Sequence, residues 1–356
     1  MNPNGIHVFF MFNMFFCQCL GYHYSSITKY GEHGMEEFSL IQALKQSYYT
    51  NSSLIRGVGD DAAVFRQSSE DIVTAVDTFV ENIHFSRKTM SSFDIGYRSL
   101  AANISDMAAM GALPAFYLTS IVVPKTWLEH EILDIFNGMK SLASDYGMDL
   151  IGGDTVSGTE LMISITIIGF VEKGKARYRH LAQPDDVVFV TGTVGDSQAG
   201  LHILTHENTY ENEAYFIQRH RQPLPRVQFS RELLPIQRLA LNDVSDGIAN
   251  EAAEIAELSS VNMTLIADQI PISDAFHQFP KKLQHEWTYF GGEDFELLGT
   301  VSTADWPNVL HAASDARIKV SKIGYVTQSD QEYGKVYLQD NNQTTQIMKH
   351  GYTHLK

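Results

Sequence analysis

The sequence predicts an α+β protein of two domains. Apolar runs of strand length and amphipathic segments of helix length follow one another without strict βα alternation, which disfavours a doubly wound sheet. A polar turn with proline punctuation, Gln183-Pro184-Asp185-Asp186, divides the 356 residues into two lengths that each suit a domain. No short-period repeat or low-complexity linker is visible. The expected units are an N-terminal domain over 35–182 and a C-terminal α/β domain over 183–356.

Residues 1–34 are read as an extension outside this fold. The apolar run over 8–16 is interrupted by Asn13 and is shorter than the ~20 residues a membrane helix needs. No basic flank precedes it, and a small-residue cleavage pattern is weak. Within Gly31-Glu32-His33-Gly34-Met35, the Gly-Glu pair can be encoded by a purine-rich stretch that would resemble a ribosome-binding site just ahead of a Met codon, so translation is expected to start at Met35. Beyond it, Phe38, Leu40, Ile41 and Leu44 predict a short amphipathic helix. Strands are predicted at 62–65 and 72–80. A helix over 93–111 carries a face of Ala101, Ala102, Ser105, Ala108 and Ala109, small enough to lie close against a sheet or a partner. A strand over 116–123 ends at Pro124. A helix over 127–146, a strand into Gly152-Gly153-Asp154 and a strand over 161–171 complete this half.

The second half opens with a strand at 187–190. Helices are predicted over 196–205, 211–220, 226–240 and from about 247, the last after a strand and turn at 241–246. Further strands fall near 263–267, 295–301, 318–326 and 335–339, with a helix near 303–316.

Composition limits the function. The hydrophobic fraction of 44% and charged fraction of 19% belong to a soluble globular protein. A formal net charge of −16 argues against a nucleic-acid partner, which needs a basic face, but not against a nucleotide carried by metals and arginines. The two cysteines, Cys17 and Cys19, make neither a disulfide framework nor a zinc site, as expected of a cytoplasmic protein with no membrane span.

The chemistry is written in six short acidic clusters, each wrapped in small residues. They are Gly59-Asp60-Asp61, Val76-Asp77-Thr78, Ser105-Asp106, Gly152-Gly153-Asp154, Asp243-Val244-Ser245-Asp246 and Gly291-Gly292-Glu293-Asp294. Gly-Asp and Ser-Asp pairs are individually ordinary turn and cap chemistry. Two carboxylates about 4 Å apart repel by roughly 4 kcal/mol at an effective dielectric near 20, so several in one place require bound cations. Hard oxygen donors without paired His or Cys suit Mg²⁺ and substrate phosphates. Other signals are weaker. Gly57-Val58-Gly59-Asp60-Asp61-Ala62 imitates a dinucleotide fingerprint but would repel a pyrophosphate. The run from Gly169 to Ala176 imitates a P-loop without its Ser/Thr. His202 and His206 read as a solvent-facing pair.

In order along the chain, Gly57 to Asp61, Val76 to Thr78 with Ile83 to Phe85, Asn103 to Gly111, Leu150 to Thr155, Thr191 to Ser197, Asp243 to Gly247 and Gly291 to Leu297 resemble the thiamine-monophosphate kinase family. That family lies in the superfamily of aminoimidazole ribonucleotide synthetase, and the likeness spans about Met35 to Tyr352. The resemblance implies ATP-dependent phosphorylation of thiamine monophosphate to thiamine diphosphate. It also implies a homodimer whose N-terminal mixed sheets pair into a barrel. Asp61, Asp77, Asp106, Asp154, Asp243 and Asp246 match magnesium-ligand positions. Gly153, Asp154, Arg179 and Ser245 match positions near ATP, and His84 and Glu293 match positions facing the thiamine substrate. No general base is expected, because the acceptor is already an anionic phosphate; Arg179 and the metal ligands would stabilise the transferring phosphoryl group.

The chain departs from the family at Ala75 and Val76, where Ser/Thr is common, at Lys349, where an aromatic often covers the substrate, and at Asn250-Glu251, a near-equivalent of a commonly acidic position. A metal-dependent phosphohydrolase, which would also use carboxylate-bound Mg²⁺ but activate water, is one alternative, and the departures at 75, 76 and 349 keep a catalytically weakened nucleotide-binding protein as another. Selenophosphate synthetase and the hydrogenase-maturation member would want a cysteine that the chain lacks at the required places.

Overall fold

The computed structural model describes residues 48–56, 64–65, 69–328, 332–341 and 343–348. The predicted extension, the predicted helix near 38–44, Asp61 and Lys349 lie outside the described residues.

Strands β1 (Leu54–Arg56) and β2 (Val64–Phe65) form a small antiparallel pair. A four-stranded mixed sheet follows, built from β3 (Glu70–Val80), β4 (Leu113–Pro124), β5 (Asp149–Gly158) and β6 (Met162–Glu172) in the order β3-β6-β4-β5. Helices α1 (Ser92–Ala109) and α2 (Glu129–Tyr146) cover one of its faces. α1 starts where Ser91 accepts a hydrogen bond from the Asp94 amide at 3.1 Å and Asp94 reaches back to the Ser91 amide, a reciprocal cap that satisfies two otherwise orphaned donors. Its Leu100, Ile104 and Met107 pack with Ile132, Ile135 and Met139 of α2 and with Ile163, Ile165 and Ile167 of β6. The expected small-residue face is buried as a whole: Ala101, Ala102, Ser105, Ala108 and Ala109 all lie inside.

The second sheet has seven strands: β7 (Val187–Thr191), β8 (Leu239–Asp243), β9 (Asn262–Ile266), β10 (Leu297–Val301), β11 (Val320–Thr327), β12 (Val336–Asp340) and β13 (Gln343–Ile347). Their order is β13-β12-β9-β11-β7-β10-β8. Every pair is antiparallel except β12 with β9, so this half is α+β rather than the α/β domain expected. Alternation along β7 divides the core. Val187 and Phe189 join the apolar cluster of the N-terminal domain, and Val188 and Val190 point into a second cluster under α6 (Ile248–Ser259). One continuous apolar core therefore joins the two domains and fixes their loops against each other.

The remaining helices are α3 (Asp196–Thr205), α4 (Glu213–Arg221), α5 (Val227–Glu232), α7 (Lys281–Phe290) and α8 (Trp306–Asp315). The helix expected over 226–240 stops at Glu232. Pro235 cannot donate to a helical ladder, and the apolar run after it becomes β8. Helix α7 and strand β13 carry no prediction above. The His202 and His206 rings stack at 3.9 Å, yet His202 also packs on Trp287 at 5.2 Å, so only His206 faces solvent.

Candidate active site

Two cavities meet at the junction of the domains. The larger, of about 1000 Å³, is lined by Asp77, His84, Asp106, Asp243, Asp246 and Glu293 among others. The smaller, of about 450 Å³, holds Arg179 and Tyr178 and is also bounded by Asp106 and Asp243. These two carboxylates thus stand on the wall common to both spaces.

Each arrives from a different element. Asp77 sits on β3 on the side facing α1, Asp106 in the last turns of α1, and Asp243 at the end of β8. Asp243 is buried, and the Ser105 hydroxyl donates to its Oδ2 at 2.9 Å. Burial pushes the Asp106 carboxyl up to about 8; the charges of Asp243 and Asp77 push the same way, and Arg179 opposes them. Burial also raises Asp243 to about 6, with Asp77 adding to the rise and Ser105 and Arg179 opposing it. Asp77 is raised by burial alone. Three acids from three elements therefore share an electrostatic site with one arginine nearby.

Asp246 and Ser245 occupy the loop after β8, braced by Glu251 of α6. The Glu251 Oε1 accepts from the Asp246 amide at 3.0 Å and from the Ser245 hydroxyl at 3.4 Å. Burial, together with the charges of Asp243 and Glu254, holds the Glu251 carboxyl well above its usual range. Asn242 donates to Glu251 Oε2 and accepts from Arg179 Nε at 2.9 Å, and Arg179 also pairs with Glu254 at 2.9 Å. Sequence reasoning assigned no role to Ser105 or Asn242, and noted Glu251 only as part of a departure from the family pattern. The signal for Asn242 and Glu251 is a polar residue inside an apolar strand and an acid on the buried side of a helix.

Glu293 is delivered by a loop folded against the Asp246 loop. Its amide donates to the Ser245 carbonyl at 2.7 Å, and a Cβ at Gly292 would lie 2.3 Å from that same carbonyl oxygen, so only glycine permits the approach. Glu293 itself takes a positive φ of 68°. His84 lines the same cavity; its Nδ1 accepts from the Val80 amide at 3.0 Å, and its ring meets Phe79 edge-on.

Asp154 does not join them. Cross-strand pairing runs from Asp77 to Ile165, Thr119 and Gly153 in one row, which places β5 three strands from β3, about 14 Å at the usual strand spacing. Asp154, one residue further, lies on the opposite, helix-free face and is exposed. Gly153 lies close to β4: a Cβ there would meet the Thr119 carbonyl oxygen at 2.1 Å. Of the departures noted above, Ala75 lines the smaller cavity, and Val76, exposed on the helix-free face, borders the larger one.

Among the described residues, no group of three His, Cys, Asp or Glu side chains is gathered as a ready-made metal cage. The donors are hard oxygens spread along one wall. That suits Mg²⁺, which takes a few carboxylates and completes its shell with phosphate and water.

An acid-walled double cavity on this two-sheet frame defines a class. The family of AIR synthase related proteins matches twice, its N-terminal domain over residues 59–171 and its C-terminal domain over 183–337. Thiamine-monophosphate kinase from Bacillus subtilis is 44% identical over 329 residues, covering 90% of this chain and all of that protein. A crystal structure of thiamine-monophosphate kinase from Stenotrophomonas maltophilia superposes with a TM-score of 0.74 at 30% identity, covering 84% of this chain and 94% of the other. A structure of AaThiL complexed with AMPPCP and TMP superposes with a TM-score of 0.68 at 26% identity, covering 91% and 100%. The chain belongs to the thiamine-monophosphate kinase family. No helix among the described residues is long and apolar enough to cross a membrane.

Proposed function

We propose that the protein transfers the γ-phosphoryl group of ATP to thiamine monophosphate, forming thiamine diphosphate and ADP in the cytosol. The observation that carries this reading is the wall of Asp106 and Asp243 between two cavities, one with Arg179 and one with His84 and Glu293. A donor in the smaller space and an acceptor in the larger would meet across that wall. The relative complexed with both AMPPCP and TMP supports two ligands on this frame.

The acceptor phosphate is already an anion, so no residue has to remove a proton from it. The barrier lies in bringing two polyanions into line, which positioning and charge neutralisation lower. Mg²⁺ bound by Asp77, Asp106, Asp243 and Asp246, with Asp61 as a further ligand, would supply that neutralisation. Arg179 offers a planar set of donors to the polyphosphate, and the Asn242 and Glu254 contacts hold it at the cavity mouth. Glu293 presents a carboxylate to the cationic ring system of the acceptor.

A homodimer belongs to this reading, with domains at 35–182 and 183–356. The helix-free face of the four-stranded sheet exposes Ile72, Val76 and Val156, beside Leu118, Val122, Met162 and Ile168. A second copy covering that face would close two sheets into a barrel. It would also give Gly153 and Asp154 a site to join, since within one chain Asp154 lies apart from Asp77.

The test is purified protein with ATP, Mg²⁺ and thiamine monophosphate, followed for thiamine diphosphate and free phosphate. Thiamine diphosphate is expected. Phosphate without it would replace the kinase with a phosphohydrolase, and neither product would leave a nucleotide-binding protein.

A further inference from the structure

Arg98 lies in the middle of α1, is 3% exposed, and points out of its own domain. Its Nη1 donates to the carbonyl of His220 at the end of α4, its Nη2 pairs with Glu293 Oε2, and its Cζ sits 5.9 Å from the Phe295 ring centroid. The Nη2 is buried against the Glu293 carboxylate, which is the counter-charge it meets at the domain junction. The Glu293 side chain remains 29% exposed at the large cavity.

The helix explains the geometry. Arg98, Ala101, Ala102 and Ser105 fall at i, i+3, i+4 and i+7, one face of α1. Arg98 meets the Glu293 loop and Ser105 meets Asp243 at the end of β8, so a loop and a strand end of the C-terminal domain dock on one face of an N-terminal helix. Seven residues of helix span about 10 Å. Alpha-helix packing is stiff, so α1 acts as a spacer between the acceptor-recognition carboxylate and the acid wall. The joint around it is polar and well bonded: Arg221 Nε donates to the Thr89 carbonyl at 2.6 Å and Gln222 Nε2 to Asp94 Oδ1 at 2.7 Å.

We infer that Arg98 is a positioning residue for acceptor recognition, acting through Glu293 from across the domain junction. This rests on the proposed kinase reading. A purely structural role, pinning α4 to α1, is the competing account, and the two make different predictions.

The experiment compares the full chain with Arg98→Met, Arg98→Lys, Glu293→Gln and the double variant Arg98→Met/Glu293→Gln. Arg98→Met is expected to raise the KM for thiamine monophosphate about tenfold while the KM for ATP stays within about twofold. Added to Glu293→Gln, it should change the acceptor KM by less than about twofold, because its target is already neutral. Arg98→Lys should recover part of the loss, and it keeps the question answerable if Arg98→Met does not fold. Equal rises in both KM values, additive losses in the double variant, or a lowered Tm with unchanged KM would overturn the inference. Thermal shifts with thiamine monophosphate and with AMPPCP, measured separately, keep the two readings apart. A wild type that binds the acceptor without phosphorylating it would sink the kinase reading, while the same pattern of binding shifts would still support Arg98. A wild type that binds no acceptor would sink both.

Discussion

Two buried acidic regions stand side by side in this molecule, and their chemistry is opposite. Glu296 is fully buried, but Arg219 pairs with it at 2.8 Å, Arg226 Nε donates to it at 2.6 Å and the Thr191 hydroxyl donates at 2.6 Å. Those partners outweigh desolvation and hold its carboxyl below the usual range. Asp243 is buried and Asp106 half-buried among like charges, with Arg179 as the nearby cation, and both are raised. Burial is common to the two; the counter-charge is not. An internally neutralised carboxylate reads as structural, and one left short of positive charge is where the proposed cation would bind.

Exchanging each acid for its amide separates the regions most sharply. Asp243→Asn should lower turnover by about a hundredfold or more, since it weakens charge stabilisation at the reacting phosphoryl, while its metal-free Tm stays level or rises. Glu296→Gln should leave Arg219 and Arg226 buried without a full partner and lower stability by about 3–5 kcal/mol, with turnover per folded molecule largely kept. Turnover and thermal melting on both variants decide it. A Tm loss in Asp243→Asn as large as in Glu296→Gln would erase the distinction.

Magnesium should sharpen the contrast further. Titration with Mg²⁺ and AMPPCP is expected to raise the wild-type Tm by several degrees, because a ligand that binds only the folded state stabilises it. Asp106→Asn should lose most of that rise, and Glu296→Gln should keep it. Equal rises in both variants would place the metal elsewhere.

The pH dependence follows with opposite signs. Asp106 and Asp243 carry folded values of about 8 and about 6 against an ordinary 3.8. Between about 4 and 8 the folded protein therefore holds protons that the unfolded chain has released, and metal-free stability falls as pH rises. Glu296 has a folded value below its ordinary 4.5, so its contribution is present above that value and is lost as pH falls through the folded one. Denaturation across pH without metal should show both limbs. Asp106→Asn should make the fall between about 4 and 8 shallower, with Asp243, Asp294 and Glu251, all raised by burial, keeping part of it, and Glu296→Gln should weaken the acid limb.

Much of this was legible in the sequence, and the failures have physical causes. Helix α3 falls at 196–205 as predicted, since its apolar periodicity is local, and the first sheet was read nearly strand for strand. The region after α5 was misread because an apolar run fits helix and strand alike, and Pro235 decides between them. Small-residue flanks singled out Asp77, Asp106, Asp243, Asp246 and Glu293, which line the cavities, but not the residues that brace them. Asn242, Glu251 and Arg98 matter through contacts more than a domain apart in sequence or through burial, and neither shows in a local pattern. The difference between Glu296 and Asp243 was equally hidden, because Arg219 and Arg226 lie on other elements.

Asp154 provides the last and mildest test, because it asks where a site ends rather than whether it exists. It lies on the helix-free face of β5, and Asp77 lies on the other face of β3 across the sheet. If a second copy brings Asp154 to the Asp77 of its partner, each active site in the dimer draws on both chains. Asp77→Asn and Asp154→Asn should then each be nearly inactive alone. Mixed and re-associated in equal amounts, half the dimers are hybrids, and each hybrid has one site with both acids intact. Activity should return to about a quarter of wild type, a figure that follows from two-fold symmetry alone. Activity no higher than that of the separate variants, with hybrids confirmed by native mass, would mean that Asp77 and Asp154 act within one chain. In that case the helix-free face must be explained without the site.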